Sequence, residues 1–75
     1  MTLSRKYVEV VVLHKLDGSY IPLFVVIGMI KNAVTKVLSI AHHRDVSIRT
    51  TQYCILMNGE KHELYECDGK WWFYL

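Results

Sequence analysis

Hydrophobic and polar residues alternate through the last third of the chain, and two turn dipeptides interrupt the alternation. These dipeptides are Asn58-Gly59 and Asp68-Gly69. Both residue pairs favour the positive φ angles of a two-residue hairpin turn. A turn at the first dipeptide places Ile55 opposite His62, because the register of a hairpin follows from its turn. The pattern therefore predicts a three-stranded antiparallel meander.

Alternation then divides the meander into two faces. The predicted core face carries Tyr53, Ile55, Met57, Leu64, Trp71, Phe73 and Leu75. The opposite face carries Gln52, Cys54, Lys61, Glu63, Tyr65, Cys67, Trp72 and Tyr74. The aromatic run at the end of the chain is thus split, with Trp71 and Phe73 predicted to fill the core and Trp72 and Tyr74 to point away from it.

The first third of the chain predicts another hairpin. Tyr7 to Leu13 is rich in valine, and Asp17-Gly18 follows as a turn signal. The return strand is predicted at Leu23 to Ile27, with Pro22 at its start, where a missing N–H does least harm to the hydrogen-bond ladder. Apolar residues occupy both the odd and the even positions of these strands, which indicates that both faces of this hairpin are covered.

The middle of the chain fits two structures. A helix at about 29–42 is indicated by apolar residues at helical spacing, namely Met29, Ile30, Ala33, Val34, Val37, Leu38 and Ala41. A strand is indicated by the lack of an N-cap and by the β-branched residues Val34, Thr35, Val37 and Ile40. The local pattern leaves both alternatives open.

Length and composition bound the class of protein. A chain of 75 residues, 52% hydrophobic and 21% charged, predicts one small folded domain over residues 1–75. The net charge of +2 is small and the basic residues form no run, so charge alone selects no nucleic-acid partner. The longest apolar run, Ile21 to Ile30, is shorter than the roughly 20 residues of a membrane span. Glu9 interrupts the first apolar stretch, which argues against a signal peptide, so a soluble cytoplasmic protein is expected.

Metal and disulfide chemistry are not favoured by the spacing of the four histidines and two cysteines. None of the close ligand pairs of a zinc site is present. His42 and His43 are adjacent and would point to opposite faces of a strand. The predicted register separates Cys54 from Cys67 by roughly 13 Å, beyond the ~7 Å Cα limit of a disulfide. We therefore expect no metal, no cofactor and two free thiols.

The sequence gives no basis for an enzyme. Cys54 is predicted opposite Glu63, and a carboxylate neighbour works against the thiolate that a cysteine nucleophile needs. The remaining carboxylates are most simply explained as solubilising strand and turn residues; they are Glu60, Glu66 and Asp68. No catalytic residue is predicted.

The face that carries Tyr65, Trp72 and Tyr74 together with Lys61 and Lys70 is the candidate interaction site. Aromatic side chains between basic ones resemble the platforms on which single-stranded nucleic acid stacks. The same aromatics fit a protein interface, since Tyr and Trp supply much buried area. A third interpretation is that they close the second side of a small core. The polar segment from His42 to Thr51, with Arg44 and Arg49, is predicted as a surface loop.

The chain also resembles a group of short uncharacterised bacterial all-β proteins. The resemblance rests on turn and core residues: Asp17, Gly18 and Pro22; Lys36, Val37 and Leu38; Arg49, Asn58 and Gly59; Leu64 and Tyr65; Asp68 and Gly69; Trp71 and Trp72. It spans nearly the whole chain, except that Ile27 to Asn32 departs from the polar connection of the group. The resemblance implies a strand at Val34 to Ala41 and carries no functional site.

Together these observations predict a single all-β domain of five or six short antiparallel strands, in a twisted sheet or small open barrel. The α+β alternative keeps one helix at about 29–42. For function, we expect a non-catalytic module that forms a homo-oligomer or docks on a protein partner, since a small domain gains by burying an aromatic face or a valine-rich strand edge. Weak binding of single-stranded nucleic acid is the alternative.

Overall fold

Six antiparallel strands form a small closed barrel. The structure is a computed structural model that describes residues 4–44 and 49–74. The strands are β1 (Arg5–His14), β2 (Tyr20–Ile27), β3 (Ile30–Arg44), β4 (Arg49–Met57), β5 (Glu60–Cys67) and β6 (Lys70–Tyr74). Each pairs with the next along the chain, and β6 pairs with β1 to close the barrel. The all-β prediction is confirmed, and the helix alternative at 29–42 is wrong because β3 occupies most of that segment.

In three of the hairpins a two-residue turn connects the two strands. Both residues have positive φ at Asn58-Gly59 (54° and 76°) and at Asp68-Gly69 (51° and 81°), as the sequence predicts. A third turn of this kind, at Gly28-Met29, has φ values of 55° and 68° and joins β2 to β3. Positive φ at both central residues gives the backbone a twist that matches the twist of the flanking strands.

The first hairpin turns through a longer loop. The backbone N–H of Gly18 donates to the carbonyl of Lys15 at 3.0 Å, and the N–H of Lys15 donates to the carbonyl of Ser19 at 2.9 Å. Gly18 has a φ of 88°, so a tight turn is followed by a glycine in the left-handed region. The Asp17 carboxylate accepts hydrogen bonds from the hydroxyl and the N–H of Ser19, which lower the Asp17 pKa. The hairpin is confirmed, but β2 begins at Tyr20, earlier than predicted, and the prediction that both faces are covered is wrong, because Val11, Leu13 and Leu23 are exposed.

Two irregularities of β3 explain the three-residue spacing of Val34 and Val37, the two residues of the predicted helical pattern that pack against the core. The pairing of β3 with β4 shifts register at Thr35 and again at Leu38. As a result Val34, Val37 and Ile40 pair with successive core residues of β4. In a regular strand these positions would be two residues apart, and each bulge adds one. A spacing of three residues therefore imitates one face of a helix.

The core lies inside the barrel. Its buried members are Val25, Tyr53, Ile55, Met57, Leu64 and Trp71, and the half-buried side chains around them are Val8, Val10, Val12, Tyr20, Ile27, Val34, Val37 and Phe73. The core face predicted for the meander is thus confirmed as far as Phe73, and Leu75 lies outside the described residues. Among residues 4–44 and 49–74 there is no helix long and apolar enough to cross a membrane.

The predicted surface loop from His42 to Thr51 is wrong at both ends. β3 continues to Arg44 and β4 begins at Arg49, and these two residues are paired directly. Residues 45–48 of the loop lie outside the described part of the chain. The backbone hydrogen bonds of the ladder extend the hairpin well beyond the barrel core, where side chains gain little burial.

Candidate interaction surface

The predicted aromatic face lies on the outer surface of three neighbouring strands. Trp72 on β6 is paired with Tyr7 on β1 and with Tyr65 on β5. Tyr74 follows on β6 and is paired with Arg5. We call these residues, Arg5, Tyr7, Tyr65, Trp72 and Tyr74, the aromatic patch. Cross-strand pairs bring their side chains together, because directly paired residues share one face of a sheet.

Trp72 is the centre of the patch and is only 1% exposed, although it points away from the barrel core. Its ring centroid lies 5.8 Å from that of Tyr7, 6.0 Å from that of Tyr65 and 6.4 Å from that of Tyr74. The Tyr65 ring is stacked on it, and the Tyr74 ring is edge-on. Both arrangements are favourable for aromatic rings. Its Nε1 has no hydrogen-bond partner among the described residues.

The accessible part of the patch is made of tyrosines and one arginine. Tyr7 is 56% exposed and Tyr74 is 37% exposed. The guanidinium carbon of Arg5 lies 4.3 Å from the Trp72 ring centroid, a cation–π contact. Arg5 also donates from Nη1 to the hydroxyl of Tyr7 at 3.4 Å. Hydrogen bonds to the hydroxyls of Tyr7 and Tyr74 raise the pKa of Arg5, so the guanidinium stays charged.

The structure brings together three of the five residues predicted for the site, namely Tyr65, Trp72 and Tyr74. The other two, Lys61 and Lys70, lie on the same outer face as the patch but near its two opposite ends. Lys61 lies next to the Asn58-Gly59 turn and Lys70 next to the Asp68-Gly69 turn, at opposite ends of β5. With a rise of about 3.3 Å per residue, these two ammonium groups belong to different ends of the barrel.

An acidic residue borders the patch on the β5 side. Glu63 shares the outer face with Tyr65, whose hydroxyl donates to its Oε2 at 3.4 Å. Burial raises the pKa of Tyr65, and the negative charge of Glu63 raises it further. The phenol therefore remains protonated at neutral pH and available as a donor. A cation on β1 and an anion on β5 thus flank the aromatic rings.

Two arginines that would assist nucleic-acid binding lie elsewhere. Arg44 and Arg49 are paired with each other on the extension of β3 and β4, outside the strands that carry the patch. In the same extension, His43 Nε2 lies 2.7 Å from Gln52 Oε1. Like charges directly opposite one another disfavour an antiparallel pair, so the pairing of Arg44 with Arg49 does not stabilise this extension.

Both cysteines are free and half-buried. Cys54 is paired with Glu63, as the sequence predicts. Burial raises the pKa of Cys67 above its ordinary value, and the neighbouring carboxylates of Asp68 and Glu66 add to the effect. A reactive cysteine requires the opposite shift. Within residues 4–44 and 49–74, no group of three or more His, Cys, Asp or Glu side chains could hold a metal ion.

Glu66 is the buried carboxylate of the described chain, at 9% exposure. Its register partner is Trp71, on the core face. Its Oε2 accepts a hydrogen bond from the N–H of Gly69 at 3.3 Å, which ties the carboxylate to the hairpin turn. Burial raises the pKa of Tyr53, and Glu66 contributes to that shift. These contacts explain Glu66 as a structural group of the turn.

Tyr7 and Arg5 are the members of the patch that the sequence did not indicate. They belong to β1, and only closure of the barrel places that strand beside β6. No local pattern connects residues so far apart in the chain. The valine-rich composition of β1 predicts a strand, but not which strand lies next to it.

A cleft of about 960 Å³ opens beside β1, on the side of the barrel where β6 begins. It is lined mainly by the core-facing side chains of β1 and by Tyr20, Lys70 and Trp71.

No protein-family model, no curated protein and no solved structure matches this chain, so the resemblance to short bacterial all-β proteins stays a prediction.

Proposed function

We propose that the protein is a non-catalytic interaction module that binds protein through the aromatic patch. The observation that carries the proposal is the group of three tyrosines, two of them exposed, that surrounds the buried Trp72 together with Arg5. Tyr, Trp and Arg are the residue types that are enriched at protein interfaces and dominate their binding energy. A second copy of the chain is the first partner to test.

The packing within the patch supports this function. Each tyrosine ring already contacts another ring, with Tyr65 and Tyr74 only 4.8 Å apart between centroids. Side chains that are held in place lose little conformational entropy when a partner binds. Tyrosine also combines a large apolar ring with a hydroxyl that tolerates water before binding. The patch is thus preorganised for association.

Single-stranded nucleic acid is the rival ligand. Stacking of bases needs open aromatic faces, and a cationic groove must follow the phosphates. Arg5 covers the Trp72 ring, and Lys61 and Lys70 lie at opposite ends of β5. The acidic Glu63 lies beside Tyr65 on the same face. These features favour a protein partner over a nucleic acid.

The test is sedimentation equilibrium of the purified protein at low and high salt, with and without a single-stranded oligonucleotide. We expect wild-type protein to self-associate with a much weaker dependence on salt than nucleic-acid binding shows, because most of the affinity comes from apolar burial, which salt does not screen. The double variant Tyr7→Ser/Tyr74→Ser should be monomeric. Leu16→Ser/Met29→Ser is the matched control, since both side chains are almost fully exposed outside the patch. It should associate like wild type.

Trp72 is unsuitable for this test. Emptying a buried tryptophan site costs about 3–5 kcal/mol, a large part of the stability of so small a domain. A monomer that binds the oligonucleotide only at low salt, with a steep salt dependence, would refute the proposal and promote the rival. Association that survives both tyrosine substitutions would exclude the patch as the interface.

A further inference from the structure

Opposite charges lie on the two sides of the aromatic patch. Arg5 on β1 is paired with Tyr74 on β6. Glu63 on β5 lies two residues before Tyr65, and Tyr65 is paired with Trp72, two residues before Tyr74. Arg5 and Glu63 therefore lie at the same level along the strands, one on each side of Tyr74. At this level the patch has a cation on β1 and an anion on β5, and Lys61 lies two residues before Glu63 on the same face of β5.

This arrangement is complementary to itself. A two-fold axis that runs along β6, between two facing patches, places β1 of one copy over β5 of the other. Each Arg5 then faces Glu63 of the second copy, and the contact occurs twice. The outer surface of a closed barrel is convex, so β1 and β5 lie farther from the second copy than β6 does, and contact between them requires long exposed side chains such as those of Arg5 and Glu63. The tyrosines meet across the axis between the two ion pairs.

Neither side chain is already engaged in an ion pair within the chain. Among the described residues, the one salt bridge joins His62 to Glu60 at 3.9 Å. Arg5 contacts the Trp72 ring and the hydroxyls of Tyr7 and Tyr74, and Glu63 accepts a hydrogen bond from Tyr65. The hydrogen-bonding capacity of a guanidinium and a carboxylate exceeds these contacts. Both groups retain donors or acceptors for a partner.

We propose that the partner of the aromatic patch is a second copy of this chain, in a face-to-face two-fold dimer with reciprocal Arg5–Glu63 ion pairs. This inference rests on the proposed function and specifies its partner. Apolar contact between the tyrosines supplies the affinity, and the ion pairs set the orientation. Because the same patch is used on both copies, the assembly closes at two chains.

The experiment reverses each charge separately. Arg5→Glu alone and Glu63→Arg alone each place two pairs of like charges across the dimer. We expect each to weaken dimerisation by at least about tenfold, since like-charge contacts across an interface are strongly unfavourable. A one-to-one mixture of the two variants should restore dimers, because every reversed charge then faces an opposite one. The double variant Arg5→Glu/Glu63→Arg should restore them as well.

Native mass spectrometry distinguishes the mixed dimer from the two homodimers by mass, and sedimentation equilibrium gives the dissociation constants. Lys36→Glu, an exposed reversal on β3, is the matched control and should dimerise like wild type. Circular dichroism confirms that each variant is folded. Rescue in the mixture also requires that both variants are folded, so it separates electrostatic repulsion from loss of structure.

Three results would overturn the dimer. If the mixture and the double variant associate no better than the single variants, while Tyr7→Ser/Tyr74→Ser still abolishes association, the patch remains the interface but the two-fold geometry is wrong. If none of these substitutions changes association, both the dimer and the proposed function fail. If wild-type protein stays monomeric at millimolar concentration, the partner is not a second copy.

Discussion

Met29 has a φ of 68°, a conformation that an unbranched residue with a Cβ rarely adopts. Its side chain is 98% exposed, so no packing contact compensates for the strain. Asn58 and Asp68 have similar φ values in equivalent turns, but Asn and Asp tolerate them. The sequence indicates the latter two turns through their residue types, whereas Gly28-Met29 gives a much weaker signal.

Replacing Met29 by glycine should therefore stabilise the protein. Relief of a left-handed residue is worth about 1–2 kcal/mol, and the greater backbone entropy of glycine in the unfolded chain offsets about half of it. We expect a net gain of about 0.5–1 kcal/mol, measured as a higher midpoint of urea unfolding at unchanged slope. Met29→Ala is the control at the same position, and it should give no such gain because alanine keeps the Cβ. A loss of stability in Met29→Gly would contradict the turn geometry.

At the scale of the strands, β1 and β4 differ in how they are paired. β1 changes neighbour halfway: Arg5–Val8 pairs with β6, and Glu9–His14 pairs with β2. β4 has β3 on one side and β5 on the other from Thr51 to Met57. In an antiparallel strand alternate residues direct their hydrogen bonds to opposite sides. Each part of β1 therefore has a neighbouring strand on one side only. The N–H and C=O groups of every second residue, which point to the other side, have no strand partner.

Hydrogen exchange should reveal this difference. Amides of β4 between Thr51 and Met57 should be the slowest to exchange, opening only with global unfolding. In β1, every second amide should exchange much faster than its neighbours. Residue-resolved exchange by NMR gives both sets in one experiment. Uniform protection along β1 would mean that its unpaired backbone N–H groups are covered. If the cover is a second copy bound at the open edge, the protection should decrease when the protein is diluted.

For the whole molecule, closure of the barrel joins the first strand to the last. Arg5 is paired with Tyr74, and the aromatic patch is assembled across that junction. Paired residues of neighbouring strands lie about 4.5–5.5 Å apart at Cα, so Arg5 at the start of β1 is close to Tyr74 at the end of β6. Contacts between such distant parts of the chain form late and make folding slow for a domain of this size.

A circular permutant tests the closure. Joining residues 1 and 75 by a short Gly/Ser linker and opening the chain at the exposed Leu16 should preserve the fold, because β6 and β1 become an ordinary hairpin. We expect the same circular dichroism and one cooperative unfolding transition. Insertion of the same linker after Leu16 in the unpermuted chain is the control for damage to the loop. An unfolded permutant beside a folded control would show that β6 and β1 are not neighbours.

The sequence by itself determined the parts of this protein that depend on neighbours in the chain. Turn residues at Asn58-Gly59 and Asp68-Gly69 set the register of β4, β5 and β6, and alternation assigned Tyr53, Leu64 and Trp71 to the core. These inferences are confirmed because a two-residue turn fixes which residues face each other, and a pleated strand fixes which side they occupy. Grouping of Tyr65 with Trp72 followed from the same register.

Only the tertiary structure decided what depends on strands that are distant in the chain. The bulges of β3 convert its core spacing from two residues to three, and a sequence pattern alone cannot separate that spacing from a helix. Barrel closure brings Arg5 and Tyr7 onto Trp72, which buries the tryptophan on the outside of the sheet. The physical reason is that no turn connects β1 to β6. Their pairing is selected by the packing of the whole barrel.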